Sequence, residues 1–224
     1  MRKILLYIVV LTINHMMAQE NKNSLKDTIM FKRFDFELYK RNYKGYKEDP
    51  TRPPFYILAD GSAFESFVGG DDIYYLVIPP KPSYHHYMYF YYPGGRLKEY
   101  GAFAGLDSDV KIGIWKQYDT IGDETQASYC LQTQVDEEAK FEKWSFNKVL
   151  EVLKKDGVIN LRTGKHREAN ELDFDFDEKE KKWTVVVVKE VIDVFIDVYY
   201  EYIFDCVAGT YTREEYERYN NKAI

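Results

Sequence analysis

Hydrophobic and polar residues alternate over short stretches of the chain, and turn residues separate these stretches. Residues 173–177 read Asp-Phe-Asp-Phe-Asp, the period-two pattern of a strand whose phenylalanines face inward. Runs of β-branched and aromatic residues at 183–188 and 194–204 predict two more strands. Dipeptides such as Asp60-Gly61 are typical of the tight turns in hairpins. The pattern therefore predicts antiparallel hairpins.

The first half of the chain follows the same plan. Strands are predicted at 55–59, 73–78, 84–92 and 129–134, with two or three more between residues 92 and 122. Nearly every residue from 84 to 92 is aromatic, so this strand either lies between two cores or exposes one aromatic face. In the second case Tyr87, Tyr89 and Tyr91 form a surface for a partner.

One segment has the helical period. Its apolar residues share one face at spacings of three and four: Phe146, Val149, Leu150 and Leu153. Ser145 is a suitable N-cap and Gly157 a suitable C-terminal stop. The sequence therefore predicts a helix over 145–155 that packs on a sheet.

Short helices are also predicted towards the two ends of the chain. One begins after Asp35 and ends before a loop at 44–54, which contains Gly45 and three prolines. The other follows from the capping-box spacing of Thr212 and Glu215. Because strands outnumber helices and do not alternate with them, we expect an α+β fold made mainly of antiparallel sheet.

We divide the chain into three regions: a signal peptide (1–18), a β-rich region (19–135) and a helix with an antiparallel sheet (140–224). Arg2 and Lys3 precede an apolar run over 4–13, which is the layout of a secretory signal. The run is shorter than the roughly 20 residues that span a bilayer. We expect a periplasmic or secreted protein of a Gram-negative envelope with no stable membrane span after cleavage, although retention of the segment stays open.

Charge and cysteine content refine this prediction. The chain has 31 basic and 37 acidic residues, a net charge of −6. An acidic chain without a basic patch does not favour nucleic acid. Its negative charge favours a basic protein partner by electrostatic steering, although a solvated acidic surface is the commoner explanation. Cys130 and Cys206 are its two cysteines; they either form a disulfide in an oxidising compartment or are two buried thiols. The oligomeric state is not determined by these features.

Residues that could carry chemistry do not form a recognisable site. Asp173, Asp175 and Asp177 begin like a calcium loop, but Glu178 and Thr184 replace the glycine and glutamate that such a loop needs. His85 and His86 are adjacent, so they point to opposite faces of a strand. We expect no metal, no cofactor and no catalytic residue, although a carboxylate pair for glycoside hydrolysis stays open.

The segment from Tyr92 to Gly122 resembles the MORN-like repeats of the YwqK type over about one and a half repeats. The residues that carry the resemblance are Tyr92, Gly95, Leu97, Gly101, Gly113, Trp115, Tyr118 and Gly122. The resemblance implies β-hairpins whose aromatic residues pack between successive hairpins, and the family label mentions antitoxins. Tyr92, Trp115 and Tyr118 either form hairpin core or line a sugar-stacking platform.

The C-terminal part is similar to PepSY-like modules. The similarity rests on the helix at 145–155, the strand at 183–188, the segment Tyr200-Glu-Tyr-Ile-Phe-Asp205 and Gly209-Thr210. It implies a helix packed on a small antiparallel sheet in a secreted inhibitor or chaperone-like protein. We therefore expect a non-catalytic binding module for another protein, with immunity against an envelope-targeted toxin or effector as the specific version. The alternatives are a module that binds envelope glycans and, third, a hydrolase.

Overall fold

The computed structural model describes residues 31–48, 56–121, 128–168, 170–192 and 196–219. Within this part of the chain there are two antiparallel sheets, of seven and four strands. Two α-helices and one short 3₁₀ helix accompany them. The predicted α+β fold, dominated by antiparallel sheet, is confirmed.

The first sheet contains seven strands in chain order, each antiparallel to the next. They are β1 (Tyr56–Ile57), β2 (Ala63–Gly69), β3 (Asp72–Ile78), β4 (His85–Tyr91), β5 (Leu97–Ala104), β6 (Lys111–Ile121) and β7 (Ser128–Asp136). The Asp60-Gly61 turn joins β1 to β2, and Leu58 N–H donates to Ser62 O across it at 2.8 Å. Strand β2 was not predicted because Glu65 and Ser66 interrupt its apolar residues.

The second sheet contains β8 (Leu172–Asp177), β9 (Lys182–Val191), β10 (Ile196–Asp205) and β11 (Thr210–Tyr219), in the order β11-β10-β9-β8. Along β8 buried and exposed residues alternate strictly. Phe174 and Phe176 face the core while the aspartates are exposed, as predicted.

The predicted C-terminal helix is wrong. Residues 210–219 form β11 and pair with β10 along their full length. The capping-box spacing at 212–215 is a local signal, and pairing with a neighbouring strand outweighs it. Cross-strand stacking supports the strand, since the ring centroids of Tyr216 and Tyr199 are 5.6 Å apart.

Helix α1 (Phe36–Glu48) begins where the sequence predicts, because Asp35 Oδ1 accepts the N–H of Leu38 at 2.8 Å. Its predicted end before residue 44 is wrong. One glycine inside a helix costs only about 1 kcal/mol, so Gly45 does not stop it. The first proline of the loop, Pro50, comes after the last helical residue.

Helix α2 (Phe146–Lys155) has both predicted ends. Ser145 Oγ accepts the N–H of Lys148 at 3.4 Å. Gly157 follows the helix with φ +73°, a conformation that glycine adopts readily. Val158 N–H donates to Leu153 O at 3.0 Å, which completes a C-terminal cap of the Schellman type.

Two hydrophobic clusters hold the molecule together. The first packs α2 against the inner face of the second sheet and also includes four residues of the first sheet and its loops: Tyr84, Ala104, Val110 and Ile112. The second lies on one face of the first sheet, which Phe31, Phe34 and α1 cover. The two sheets therefore share buried contacts although each forms its own hydrogen-bond network.

Across the described ranges, no helix combines the length and the apolar character needed to cross a membrane.

Candidate functional site

A groove of about 520 Å³ lies on the face of the first sheet that also packs against Phe31. Its floor comes from β3, β4 and β5 and includes Tyr87, Tyr89 and Tyr100. The β1–β2 turn forms one wall, and the loop containing Pro79 and Pro80 forms another. We call this feature the tyrosine groove.

A row of stacked rings crosses the floor of the tyrosine groove. Tyr89 lies directly opposite Tyr100 on the neighbouring strand, and their ring centroids are 5.2 Å apart with an interplanar angle of 9°. Tyr118 stacks on the other side of Tyr100 at 6.2 Å, and Phe31 lies 4.5 Å from Tyr89. Because side chains paired across neighbouring strands lie on the same face of a sheet, Tyr89, Tyr100 and Tyr118 cover one another's flat surfaces.

Polar groups lie at the margin of the groove. Asp60 Oδ1 accepts the N–H of Ser62 at 2.8 Å, and Lys116 Nζ lies 5.5 Å from the centre of the Tyr100 ring. Burial lowers the pKa of His85 to about 4, with smaller contributions from the charges of His86 and Arg167. The groove therefore presents a neutral imidazole at pH 7.

Ser83 and His85 do not have the geometry of a nucleophile and its base. Ser83 Oγ lies 3.1 Å from Nδ1 and 3.5 Å from Nε2 of the same ring. Two such similar distances place the hydroxyl away from the lone-pair direction of either nitrogen.

The proline wall is anchored by the C-terminal half of the chain. Arg167 is 6% exposed, and its Nη2 donates to Pro79 O at 2.7 Å. The Tyr84 hydroxyl donates to the backbone oxygen of Lys165 and also lies 3.3 Å from the backbone oxygen of Asn160. These bonds fix the loop between β3 and β4, so the shape of the groove depends on both halves of the molecule.

None of the protein-family models, curated proteins or solved structures compared with this chain matches it. The resemblance to MORN-like repeats and to PepSY-like modules therefore stays a prediction.

The predicted partner surface is divided between the groove and the core. Tyr87 and Tyr89 line the tyrosine groove. Tyr91 is 3% exposed, and its hydroxyl donates to Phe31 O at 2.7 Å. Tyr91 is therefore too deeply buried to meet a partner in this conformation, while a binding role for Tyr87 and Tyr89 stays a prediction.

Most of the residues that suggested a repeat build the hairpin of β5 and β6. Trp115 is 1% exposed, its Nε1 donates to Ala102 O at 3.1 Å, and it packs over Gly101. Gly95 N–H donates to Tyr92 O in the turn before β5, and Leu97 is buried. Gly113 lies within β6, and Gly122 lies outside the described residues.

A smaller hollow of about 380 Å³ lies beside this hairpin. Tyr92 and Tyr118 line it together with Glu99, Gln117 and Asp119. The Tyr92 hydroxyl donates to Tyr118 O at 3.1 Å. Because Trp115 is buried, only the two tyrosines of the suggested sugar platform reach this hollow.

Across the described ranges, no group of three or more His, Cys, Asp or Glu side chains is arranged to hold a metal ion. His85 faces the tyrosine groove. His86 lies on the other face of β4, where it stacks on Phe103 at 5.2 Å. The two rings thus point to opposite faces, as adjacent strand residues must.

Cys206 is a fully buried thiol in the first cluster, and burial raises its pKa to about 11. Cys130 lies in β7, but its side chain is outside the described part of the structure. The suggested bridge between them stays a prediction.

Sequence reasoning missed the walls of the groove. Leu58 was predicted only as part of the strand at 55–59, and Pro79 and Pro80 only follow the strand predicted at 73–78. Phe31 belonged to no predicted strand, although it lines the groove. The dense tyrosines of β4 were the available signal for the floor. Nothing in their spacing indicates which side of the strand is covered.

Proposed function

We propose that this protein is a non-catalytic binding module, secreted or periplasmic, which holds an extended segment of a partner protein in the tyrosine groove. The observation that carries the proposal is the groove itself, a concave surface with an aromatic floor and a few polar groups at its margin. Such a combination is typical of binding sites. Immunity against an envelope-targeted toxin is the specific version.

The stacking of the rings favours a peptide over a sugar. A sugar ring binds an aromatic side chain through the flat face of that side chain. Phe31 and Tyr100 contact Tyr89, and Tyr89 and Tyr118 contact Tyr100. The flat faces of Tyr89 and Tyr100 are thus already occupied, whereas Val77 on the floor and Leu58 and the prolines in the walls remain available to apolar side chains.

Envelope glycans are the second candidate, and the smaller hollow favours them. Glu99, Gln117 and Asp119 provide hydrogen-bonding groups beside Tyr92 and Tyr118. Sugar recognition commonly combines such groups with an aromatic surface. A glycan ligand would therefore occupy the smaller hollow and leave the tyrosine groove open.

Selection from a random peptide library separates the two candidates. We expect the wild-type protein to enrich related peptides and Tyr87→Ala to lose their binding by about tenfold or more, as for a residue that carries much of the binding energy. Tyr74→Ala is the matched control, because Tyr74 is a half-buried tyrosine on the opposite face of the same sheet.

Equal loss in both variants would point to unfolding, which circular dichroism detects. No enriched peptide, together with binding to an array of envelope glycans that Tyr92→Ala abolishes, would overturn the proposal in favour of the second candidate. The immunity version is tested by co-expression with toxins encoded beside the gene, and absence of protection against all of them would reject it.

A further inference from the structure

The second sheet has an outer face, opposite α2, whose residues follow from the strand register. Phe174, Trp183, Val185, Tyr202 and Phe204 point into the first cluster. The residues between them therefore point away from it. We call this surface the outer face, and it carries Asp173, Asp175, Thr184, Val186, Tyr199, Glu201, Ile203, Glu214 and Tyr216.

Carboxylates concentrate in one row across the outer face. Asp173 lies opposite Val186, Val186 opposite Glu201, and Glu201 opposite Glu214. Like charges placed directly opposite each other on a sheet are destabilising. Among the described residues no basic side chain forms an ion pair with these three carboxylates.

Apolar side chains adjoin this row on both sides. Ile203 is 37% exposed and lies opposite Thr184 and Thr212. Tyr199 stacks on Tyr216, which is 36% exposed. The outer face thus combines exposed apolar area with negative charge, whereas a sheet face that only meets water carries mostly polar residues.

The negative region extends onto the first sheet. Asp107 and Asp109, in the turn between β5 and β6, lie near Asp173, whose pKa is raised first by burial and also by the charges of these acids and Asp175. Lys182 and Arg218 lie in the first and last rows of the outer face. The middle of the face is therefore acidic.

We propose that the outer face is a docking surface for a positively charged protein, one that presents lysine or arginine around an apolar side chain. The negative charge of the outer face determines which kind of partner can bind there. A second copy packed face to face would place Glu201 and Glu214 against the same carboxylates, and nucleic acid or anionic lipid would be repelled. This surface is separate from the tyrosine groove and does not depend on it.

The test uses a defined probe, a blocked ten-residue peptide of alternating lysine and valine, and a matched peptide of alternating glutamate and valine. We expect the lysine peptide to bind and to change the NMR amide shifts of β8–β11 on the outer face. Binding should weaken at least about fivefold between low salt and 0.5 M salt, because salt screens exposed charges. The glutamate peptide should not bind.

Two double variants locate the interaction. Glu201→Gln/Glu214→Gln should weaken binding of the lysine peptide about fivefold or more, because it removes both central charges. Glu190→Gln/Glu217→Gln is the control: both residues pair with Val198, on the other side of the sheet, and the change in net charge is the same. Tyr87→Ala should leave binding of the lysine peptide unchanged, because Tyr87 lines the tyrosine groove and not the outer face.

Equal weakening in the two double variants would overturn the proposal, since only total charge would then matter. Binding of the glutamate peptide, shift changes confined to other surfaces, or no binding of the lysine peptide would also overturn it. Failure here leaves the tyrosine-groove experiment unaffected, because that experiment changes different residues and uses different ligands.

Discussion

Gly101 lies beneath the indole of Trp115, and a Cβ at this position would come within 2.5 Å of three ring atoms. The indole is enclosed on other sides as well, since Phe103 packs against it at 4.9 Å and Lys111 Nζ lies 3.9 Å from its ring centre. A single residue without a side chain thus sets the position of the largest buried ring in the first sheet.

Gly101→Ala should lower the free energy of unfolding by about 1–3 kcal/mol, as overpacking of a buried ring does. Urea unfolding measures this change. Trp115→Phe in the same chain should recover part of the loss, because the smaller ring leaves room for the new methyl group. Additive losses in the double variant would show that the contact between these two residues is not the cause.

His85 gives the groove a pH dependence. Its pKa is about 4 in the folded protein and 6.5 ordinarily, so the unfolded chain binds a proton first as the pH falls. The contribution of His85 to the free energy of unfolding is therefore constant above pH 6.5. It decreases between pH 6.5 and 4, by up to about 3 kcal/mol. In the His85→Gln variant, the free energy of unfolding should depend less steeply on pH between pH 6.5 and 4. An unchanged pH dependence would contradict the lowered pKa of His85.

At the residue scale, the sequence shows which residues belong to a strand more clearly than which face of the sheet each side chain occupies. The phenylalanines of 173–177 could be placed inward because aspartates alternate with them. Tyr91 could not be placed, because β4 is aromatic on both faces and period-two spacing then carries no information. Its burial depends on Phe31 and Phe34, which are distant in sequence.

At the element scale, the sequence predicts an element correctly where the residues that begin and end it lie within or next to that element. Helix α2 has an N-cap, an apolar face and a C-terminal glycine within its own residues. Strand β11 has none of these: every side chain over 211–218 is exposed, and pairing with β10 determines its conformation. The capping-box spacing could not reveal a partner strand.

The opposed carboxylates of Glu201 and Glu214 give a prediction for this edge of the sheet. Glu214→Gln should raise the free energy of unfolding by about 0.2–1 kcal/mol, because it removes a like-charge pair across two strands. Glu217→Gln, which lies opposite Val198, is the control and should change it less. Thermal unfolding at low salt measures both, and high salt should reduce the difference.

At the scale of the whole molecule, the shared cluster joins regions that the sequence separates at 135–140. Tyr84, Ala104, Val110 and Ile112 pack with α2 and the second sheet. We therefore expect one cooperative unfolding transition. The tyrosine groove could not be predicted for the same reason, since its wall is held by Arg167 from beyond that boundary.

Fluorine-labelled tryptophan tests this cooperativity in one sample. The chain has three tryptophans, and Trp115 lies in the first sheet while Trp183 lies in the second. Their fluorine NMR signals should change at the same urea concentration, as in two-state unfolding. Val110→Ala should lower both midpoints equally. Separate midpoints would show that the sheets unfold independently.

The buried thiol of Cys206 has a practical consequence for the protein in its own environment. With a pKa of about 11 and no exposed surface, the thiol stays protonated and out of reach of alkylating reagents at neutral pH. In a Cys130→Ser chain, the rate of maleimide labelling at Cys206 then reports how often the C-terminal core opens. A partner that stabilises this core on binding should slow the labelling of Cys206, and this change can be measured in intact cells without purification.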